Sequence, residues 1–405
     1  MTSQTHFRNT PAPLSVLDLA IVPTGGTGPA ALRGAIANVQ LAEELGFRRY
    51  WFAEHHLAAG VASAAPGVLT ALAAAHTSRI RVGSGAVLLS TTSPLVAAEQ
   101  FGTVAALHPG RVDLGIGRAF GPPPAGARTK GGGASSSGKK AAKLAHNVSG
   151  LHIPAPPPLN LNDSQLRERL LSQQRAVGAG RTAAPFRDEL QAVLALRAGH
   201  LPTSAGSYTS PPVDGADFEL WPLASSGGES ARVAGELGLP LAANYHVSPA
   251  TILETVQTYR DSFVPGVLAA PYVLVSADVL VAPTAEDAAE RAEPFGRWVL
   301  SIRAGVTGAV PYPKPGTSAP LTAAEETLVR DRLDTRFVGA ADQVVSGLRA
   351  LVEATEADEL LITTQTWDPE HTRESHRLLA AAWGAFGARQ HGEAVTTSPA
   401  PAAKA

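Results

Sequence analysis

Cysteine is absent from all 405 residues of the chain. Disulfides, thiolate metal sites and a cysteine nucleophile are excluded together, while compartment is left open by that absence alone. Net charge is nearly absent too: 33 Lys and Arg face 35 Asp and Glu, formally −2. No basic field exists to hold nucleic acid or an anionic membrane. Long apolar runs are lacking, since the best candidate, GVLTALAAA at 67–75, falls far short of the roughly 18 residues that a membrane span needs. The opening MTSQTHFRNTPAPLS has no apolar stretch of the kind a secretion signal requires. The expectation is a soluble, cytoplasmic protein with neither nucleic acid nor membrane as partner.

What the chain does contain is apolar residues, 44% of the total, ample for a large core. They fall into strand-like runs alternating with helix-like ones. SVLDLAIV (15–22), RRYWFA (48–53), IRVGSGAVLL (80–89) and RVDLGIG (111–117) read as the first four strands. LWPLA (220–224), LPLAANY (239–245), YVLVSADVLVA (272–282) and DELLITT (358–364) read as the last four. Helical spacing follows nearly every one, with Gly46 as a helix stop and Ser93-Pro94 as an N-cap and first-turn pair. Strict β/α alternation with apolar strands implies a parallel sheet covered by helices. Eight units at this length predict a closed (β/α)8 barrel, a TIM barrel, forming one domain over 1–390.

Two stretches break the rhythm, placing insertions after strand four and before strand eight. Residues 121–165 are Gly, Pro, Ala, Ser and Lys with almost no aromatic content. Such a composition cannot bury enough apolar surface to offset its ordering entropy, which predicts a mobile insertion. Residues 308–326 are a shorter, Pro-rich excursion, and 391–405 read as a disordered tail.

Strand two ends in Glu54-His55-His56 after the aromatic run Tyr50-Trp51-Phe52. In a barrel of this class, residues that do chemistry project from the C-terminal ends of strands. Histidine is the side chain best suited to move a proton near neutral pH. Taken singly, each of the three is more often a solvated loop residue. Strand three carries Gly83 and Gly85 inside an apolar run, marking either a backbone that a flat ring approaches or a crowded barrel interior. After strand five, Ser225-Ser226-Gly227-Gly228 precede a helix. Free amides and the helix dipole make such a turn either an anion site or a plain capped turn. Arg118, at the end of strand four, could supply a guanidinium.

Two near-matches to nucleotide motifs fail. GIGRAFG (115–121) has Phe120 at the third glycine position, with prolines after it instead of a helix. GASSSGKK (133–140) has Lys140 where magnesium needs Ser or Thr. No built-in site for a pyridine dinucleotide or ATP is evident.

Residues 50–121 strongly resemble the bacterial luciferase-like flavin-dependent monooxygenases. The shared features are E-H-H at strand two, T-S-R-I-R-V-G-S-G, S-P-x-x-x-A-E-Q and H-P-G-R-x-D-L-G-x-G-R. The resemblance returns at LWPLASSGGESARVAGELGLP, PYVLVSADVLVAPTAEDA and TRFVGAADQVVSGLRALVEATEADELLITTQTWD. It implies that His55 is the active-site histidine, with Glu54 or His56 supporting it. It implies a non-prolyl cis peptide at Gly85-Ala86 behind the flavin ring. It also implies that Arg118, Ser225, Ser226, Gly227 and Gly228 hold the flavin phosphate. The implied reaction uses reduced FMN and O2 to oxidise a small organic substrate through a C4a-peroxide, with FMNH2 from a separate NAD(P)H:flavin reductase. The deazaflavin F420 and hydride transfer are the alternative within the same fold, and a homodimer is open. Trp51, Trp221, Tyr245 and Trp367 are candidate apolar walls. Departures from the family pattern lie in 121–165. Two other classes remain: a metal-dependent barrel hydrolase using His55, His56 or His246, and a flavin-binding protein without catalysis.

Overall fold

The structure, a computed structural model, describes residues 11–118, 144–158, 164–178, 184–304 and 308–395. Eight strands form the central sheet: Leu14–Asp18, Arg49–Phe52, Arg81–Ser84, Val112–Gly117, Glu219–Ala224, Leu241–Asn244, Val273–Val281 and Glu359–Thr363. They are called the first to eighth barrel strands below. Each pairs in parallel with the next, and the eighth pairs with the first, so the sheet closes on itself. All eight coincide with the runs read from the sequence, and the fold is the expected TIM barrel.

Local signals explain the framing helices. Ser93 Oγ accepts from the Leu95 amide at 3.3 Å and Pro94 follows as the first residue of helix Pro94–Leu107. Gly46, at φ 79°, ends helix Gly28–Glu44 in the left-handed region that glycine tolerates. Two expectations need correction. The third strand does not run unbroken over 80–89: its ladder stops at Ser84, the Gly85–Ala86 bond is cis, and Val87–Leu88 resumes against Ile116–Gly117. Helical spacing after the seventh strand, which reads as a single helix around 285–305, is instead two helices, Ala285–Ala292 and Phe295–Ala304, parted at Pro294, which lacks the amide that continuation needs.

The connection from seventh to eighth strand carries further structure. Helix Ala323–Leu333 opens on a capping box in which Thr322 and Glu325 satisfy each other's backbone. The Pro-rich excursion packs on the barrel rim: Tyr312 exchanges backbone hydrogen bonds with Val22 and Thr24, and Gly60 donates to Ala309. Of the segment expected to be a mobile insertion, 121–143 and 159–163 lie outside the described residues. Residues 144–158 depart from the expectation. His146–Val148 and Leu151–Ile153 form a hairpin whose Leu151 and Ile153 are buried, and Tyr245 Oη donates to the His152 carbonyl at 2.7 Å. The end of the proposed tail, 396–405, is outside the described residues, while 391–395 continue the backbone of helix Pro369–Val395.

Alternation along the strands sorts the barrel interior into layers. At the N-terminal end, Arg49 is fully buried among carboxylates. It binds Asp113 at 2.8 Å, Glu359 at 2.7 Å and Glu219 at 3.2 Å, while Arg81 meets the other oxygen of Asp113 at 2.6 Å. Above that plug, Leu17, Trp51, Trp221, Ala242, Leu274 and Leu361 fill the barrel with apolar atoms. Trp51 and Trp221 meet edge to face at 5.3 Å. Polar side chains reappear only at the C-terminal mouth.

Candidate active site

Strand pleat separates the three residues of Glu54-His55-His56. Trp51 and Ala53 point into the barrel, whereas Tyr50 and Phe52 belong to the core outside it. Continuing that alternation, His55 faces the mouth, and Glu54 and His56 lie on the other side. Glu54 is buried and fully engaged. It takes His56 Nε2 at 2.7 Å, Thr91 Oγ1 at 2.7 Å and the Leu88 amide at 3.0 Å. It thus ties the end of strand two to the short strand that follows the cis bond. His55 is held through its backbone, which donates to the Ser63 carbonyl at 2.9 Å. Its ring is open to solvent on one side yet ringed by protein. That crowding lowers its pKa from the usual histidine value, with the Glu54 charge opposing and His56 adding to the shift.

The sixth strand delivers a second imidazole. Ala242 faces inward, so Asn244 and His246 follow on the same side. His246 Nδ1 hydrogen-bonds with Ser276 Oγ at 2.6 Å, and that oxygen also lies 3.3 Å from the Ala243 carbonyl. Burial pushes the His246 pKa down to about 4, Asp278 opposes this, and Arg332 and His55 add to it. The two histidines thus share one mouth, and both are neutral near pH 7. His246 was visible in the sequence only as a metal candidate, and Asn244, Ser276 and Asp278 were not singled out. The available signal was polar residues at every second position, Ser276 and Asp278, within the otherwise apolar VLVSADVLV. No group of three or more His, Asp or Glu side chains able to hold a metal ion exists among the described residues.

The residues expected at a phosphate come together. Gly228 starts helix Glu229–Glu236 with no side-chain cap, and Arg118 reaches the same turn. Arg118 is not free, however: its Nη1 donates to Glu229 Oε2 at 2.5 Å. Ser225 Oγ accepts from Asn244 Nδ2 at 3.0 Å, linking the turn to the inward face of the sixth strand, while Ser226 stays exposed. Gly227 is required by packing: a Cβ there would lie 2.7 Å from both Glu254 Cγ and Thr258 Oγ1.

The same argument resolves strand three. A Cβ on Gly83 would lie 2.2 Å from the Asp113 carbonyl oxygen, and one on Gly85 2.8 Å from Leu17 Cδ1 and 3.1 Å from Trp51 Cε3. Protein atoms fill both positions, so the crowded barrel interior by itself requires glycine at each. Three of the four candidate aromatic walls are also core: Trp51, Trp221 and Tyr245 are fully buried. Only Trp367 stands at the rim, its Nε1 donating to the Thr24 carbonyl at 3.1 Å and its ring under Lys314.

The sequence profile of the luciferase-like monooxygenases matches residues 14–140. YvbT of Bacillus subtilis (strain 168), itself uncharacterised, is 34% identical over 91% of this chain and 96% of its own length. A luciferase-like monooxygenase of Escherichia coli (strain K12) is 31% identical over 90% of this chain and 95% of its own. Among solved structures, apo-MsnO8 superposes with a TM-score of 0.71 at 30% identity, covering 92% of this chain and 99% of that one. More distant structures share the fold alone. One is the oxygenating constituent of 3,6-diketocamphane monooxygenase from Pseudomonas putida in complex with FMN, with a TM-score of 0.55 at 18% identity over 91% of this chain and 96% of that one. Another is an F420-dependent secondary alcohol dehydrogenase, with a TM-score of 0.53 at 14% identity over 92% of this chain and 99% of that one.

Proposed function

The chain belongs to the luciferase-like monooxygenase family, and from that premise we propose a flavin-dependent monooxygenase that uses reduced FMN and O2 to oxidise a small organic substrate. Its FMNH2 comes from a separate NAD(P)H:flavin reductase, since no dinucleotide fingerprint appears in the sequence. The observation that carries the reading is the placement of His55. It is a neutral imidazole on the inward face, at the C-terminal end of a barrel strand, where the apolar interior gives way to a polar mouth.

The residues present fit the cofactor. The uncapped start of helix Glu229–Glu236, exposed Ser226 and Arg118 offer amides, a hydroxyl and a guanidinium to a phosphate. The cis Gly85–Ala86 segment and Leu223 border the mouth where a ring would rest. When bound, reduced flavin supplies the electron pair that activates O2. The protein's share is to hold the phosphate, to keep water out with the apolar layer of Leu17, Trp51 and Trp221, and to present His55 Nδ1 or Nε2 as a proton acceptor.

F420-linked hydride transfer is the second reading, because the barrel superposes almost equally on an FMN complex and on an F420-dependent enzyme. Titration of the purified chain with FMN, FMNH2 and F420 tests both. Tight FMNH2 binding with oxygen uptake only when FMNH2 is supplied supports the monooxygenase. F420 binding without oxygen uptake overturns it, and rapid NADH oxidation without a partner reductase overturns the two-component arrangement.

A further inference from the structure

Beyond His246, on the same strand face, lies a buried cluster whose donors lack acceptors. Arg332 Nη2 donates to Asp278 Oδ2 at 3.0 Å, but Arg332 Nε and Asp278 Oδ1 are buried without any partner. Arg336 lies 3.8 Å over the Phe295 ring, and its Nε and Nη2 are likewise buried and unpartnered. Tyr312 is fully buried with its hydroxyl unpaired, and the indole nitrogen of Trp298, packed against the Tyr312 ring at 5.8 Å, is unpaired too. These groups sense one another: Arg336 lies in the fields of Tyr312, Asp278 and Arg332. The cluster adjoins the mouth through the seventh strand, where Ser276, bonded to His246, and Asp278, bonded to Arg332, alternate onto the same face.

Two guanidiniums face one buried carboxylate. The other acid nearby, Glu293, is exposed and accepts from the Gly316 amide at 3.1 Å. The cluster therefore holds an excess of positive charge, and its orphan donors outnumber its one orphan acceptor. Neutral water would bring a donor for every acceptor, whereas an anion brings acceptors only and cancels the charge. A planar carboxylate also matches the fork of a guanidinium.

We infer that Arg332, Arg336 and Tyr312 form an anion subsite that takes the carboxylate of an acidic organic substrate and points its remainder toward His55 and His246. Calling that molecule a substrate rests on the monooxygenase reading, but the subsite itself does not. The same chemistry would accept a flavin phosphate, and the geometry assigns that group to the separate turn at Arg118 and Gly228.

Hexanoate and hexanamide, equal in size and differing in charge, serve as probes of the full-length chain by calorimetry and thermal shift, with FMN as a parallel titration. Hexanoate is expected to bind at least about tenfold more tightly than hexanamide, one charge-assisted hydrogen bond's worth. Arg336→Met should abolish that preference, and Tyr312→Phe, which removes one hydroxyl and keeps the ring, should weaken hexanoate several-fold. FMN affinity should stay within about twofold of wild type in both. Equal binding of the two probes would show that water meets these donors and would overturn the subsite. So would hexanoate binding unchanged in Tyr312→Phe and, where it folds, Arg336→Met. A parallel loss of FMN affinity would assign the anion to the cofactor instead. Failure of the monooxygenase reading would appear separately, as absent FMNH2-dependent oxygen uptake with the hexanoate preference intact.

Discussion

Arg118 donates to Glu229 at 2.5 Å, across 111 residues of sequence, so this guanidinium is held by a carboxylate at the start of a helix. Both side chains are substantially exposed, and the pair adds little to stability. Its consequence is for the proposed binding, in which an arriving phosphate would compete with Glu229 for Arg118.

The two partners should therefore have opposite effects on flavin affinity. Arg118→Ala removes a charge-assisted hydrogen bond and should weaken FMN by about ten- to a hundredfold. Glu229→Gln frees the guanidinium and removes a negative charge, so FMN should bind equally or more tightly. Fluorescence titration of both variants checks this; weakening by Glu229→Gln would show that the carboxylate helps to build the site.

Acid should destabilise the fold through buried histidine. His376 is 2% exposed, both its ring nitrogens lack partners, and burial pushes its pKa down to about 4. In the unfolded chain the value is about 6.5. The contribution is therefore complete above pH 6.5 and is lost as pH falls, because the unfolded chain takes up a proton that the fold refuses. The slope is about 1.4 kcal/mol per pH unit, or about 2 kcal/mol by pH 5. His246 acts in the same direction, while Asp18, whose pKa burial raises, opposes it at the acid end. His376→Leu should flatten the curve of urea stability between pH 7 and 5, and an unchanged slope would refute the assignment.

The barrel was legible because its strands are short apolar runs separated by strong helix signals, such as Ser93-Pro94 and Gly46. The ion cluster at the barrel's N-terminal end was not. Arg49, Asp113, Glu219 and Glu359 lie as much as 310 residues apart and converge only because parallel strands bring their first residues to one end. The charge at Arg332 and Arg336 was hidden because the groups that meet it, Asp278 and Tyr312, come from other elements. Some of what was missed was readable: Thr322-Ala-Ala-Glu325 spells a capping box, masked by the proline content before it. Gly83 and Gly85 were ambiguous in the sequence because a ring and a crowded interior ask for the same residue. The atoms at their missing Cβ positions show that the interior alone is enough to demand glycine.

Breaking the buried ion cluster should cost stability and spare the site. Arg49→Met leaves Asp113 and Glu359 buried without their shared cation, a loss of about 3–5 kcal/mol. The cluster lies at the barrel end opposite His55, with the Trp51–Trp221 layer between them. Flavin affinity per folded molecule should stay near wild type. A urea midpoint within error of wild type would mean that water reaches the carboxylates.

His55 and Glu54 are adjacent in sequence and should differ in what they control. His55 faces the mouth as a neutral imidazole, and positioned acid–base groups contribute about 10²–10⁴-fold. His55→Ala should reduce product formation by that factor, with little change in flavin affinity, and oxygen should be diverted to hydrogen peroxide. Glu54 faces the other way and braces His56, Thr91 and the Leu88 amide. Glu54→Gln keeps its shape but weakens those bonds, so it should act through the Gly85–Leu88 segment, lowering thermal stability and flavin affinity together. Product and peroxide yields on both variants, with FMN affinity and melting temperature measured alongside, separate the two. If His55→Ala turns over an accepted substrate at the wild-type rate, the proton-handling role belongs elsewhere, and His246, in the same mouth, is the residue to replace next.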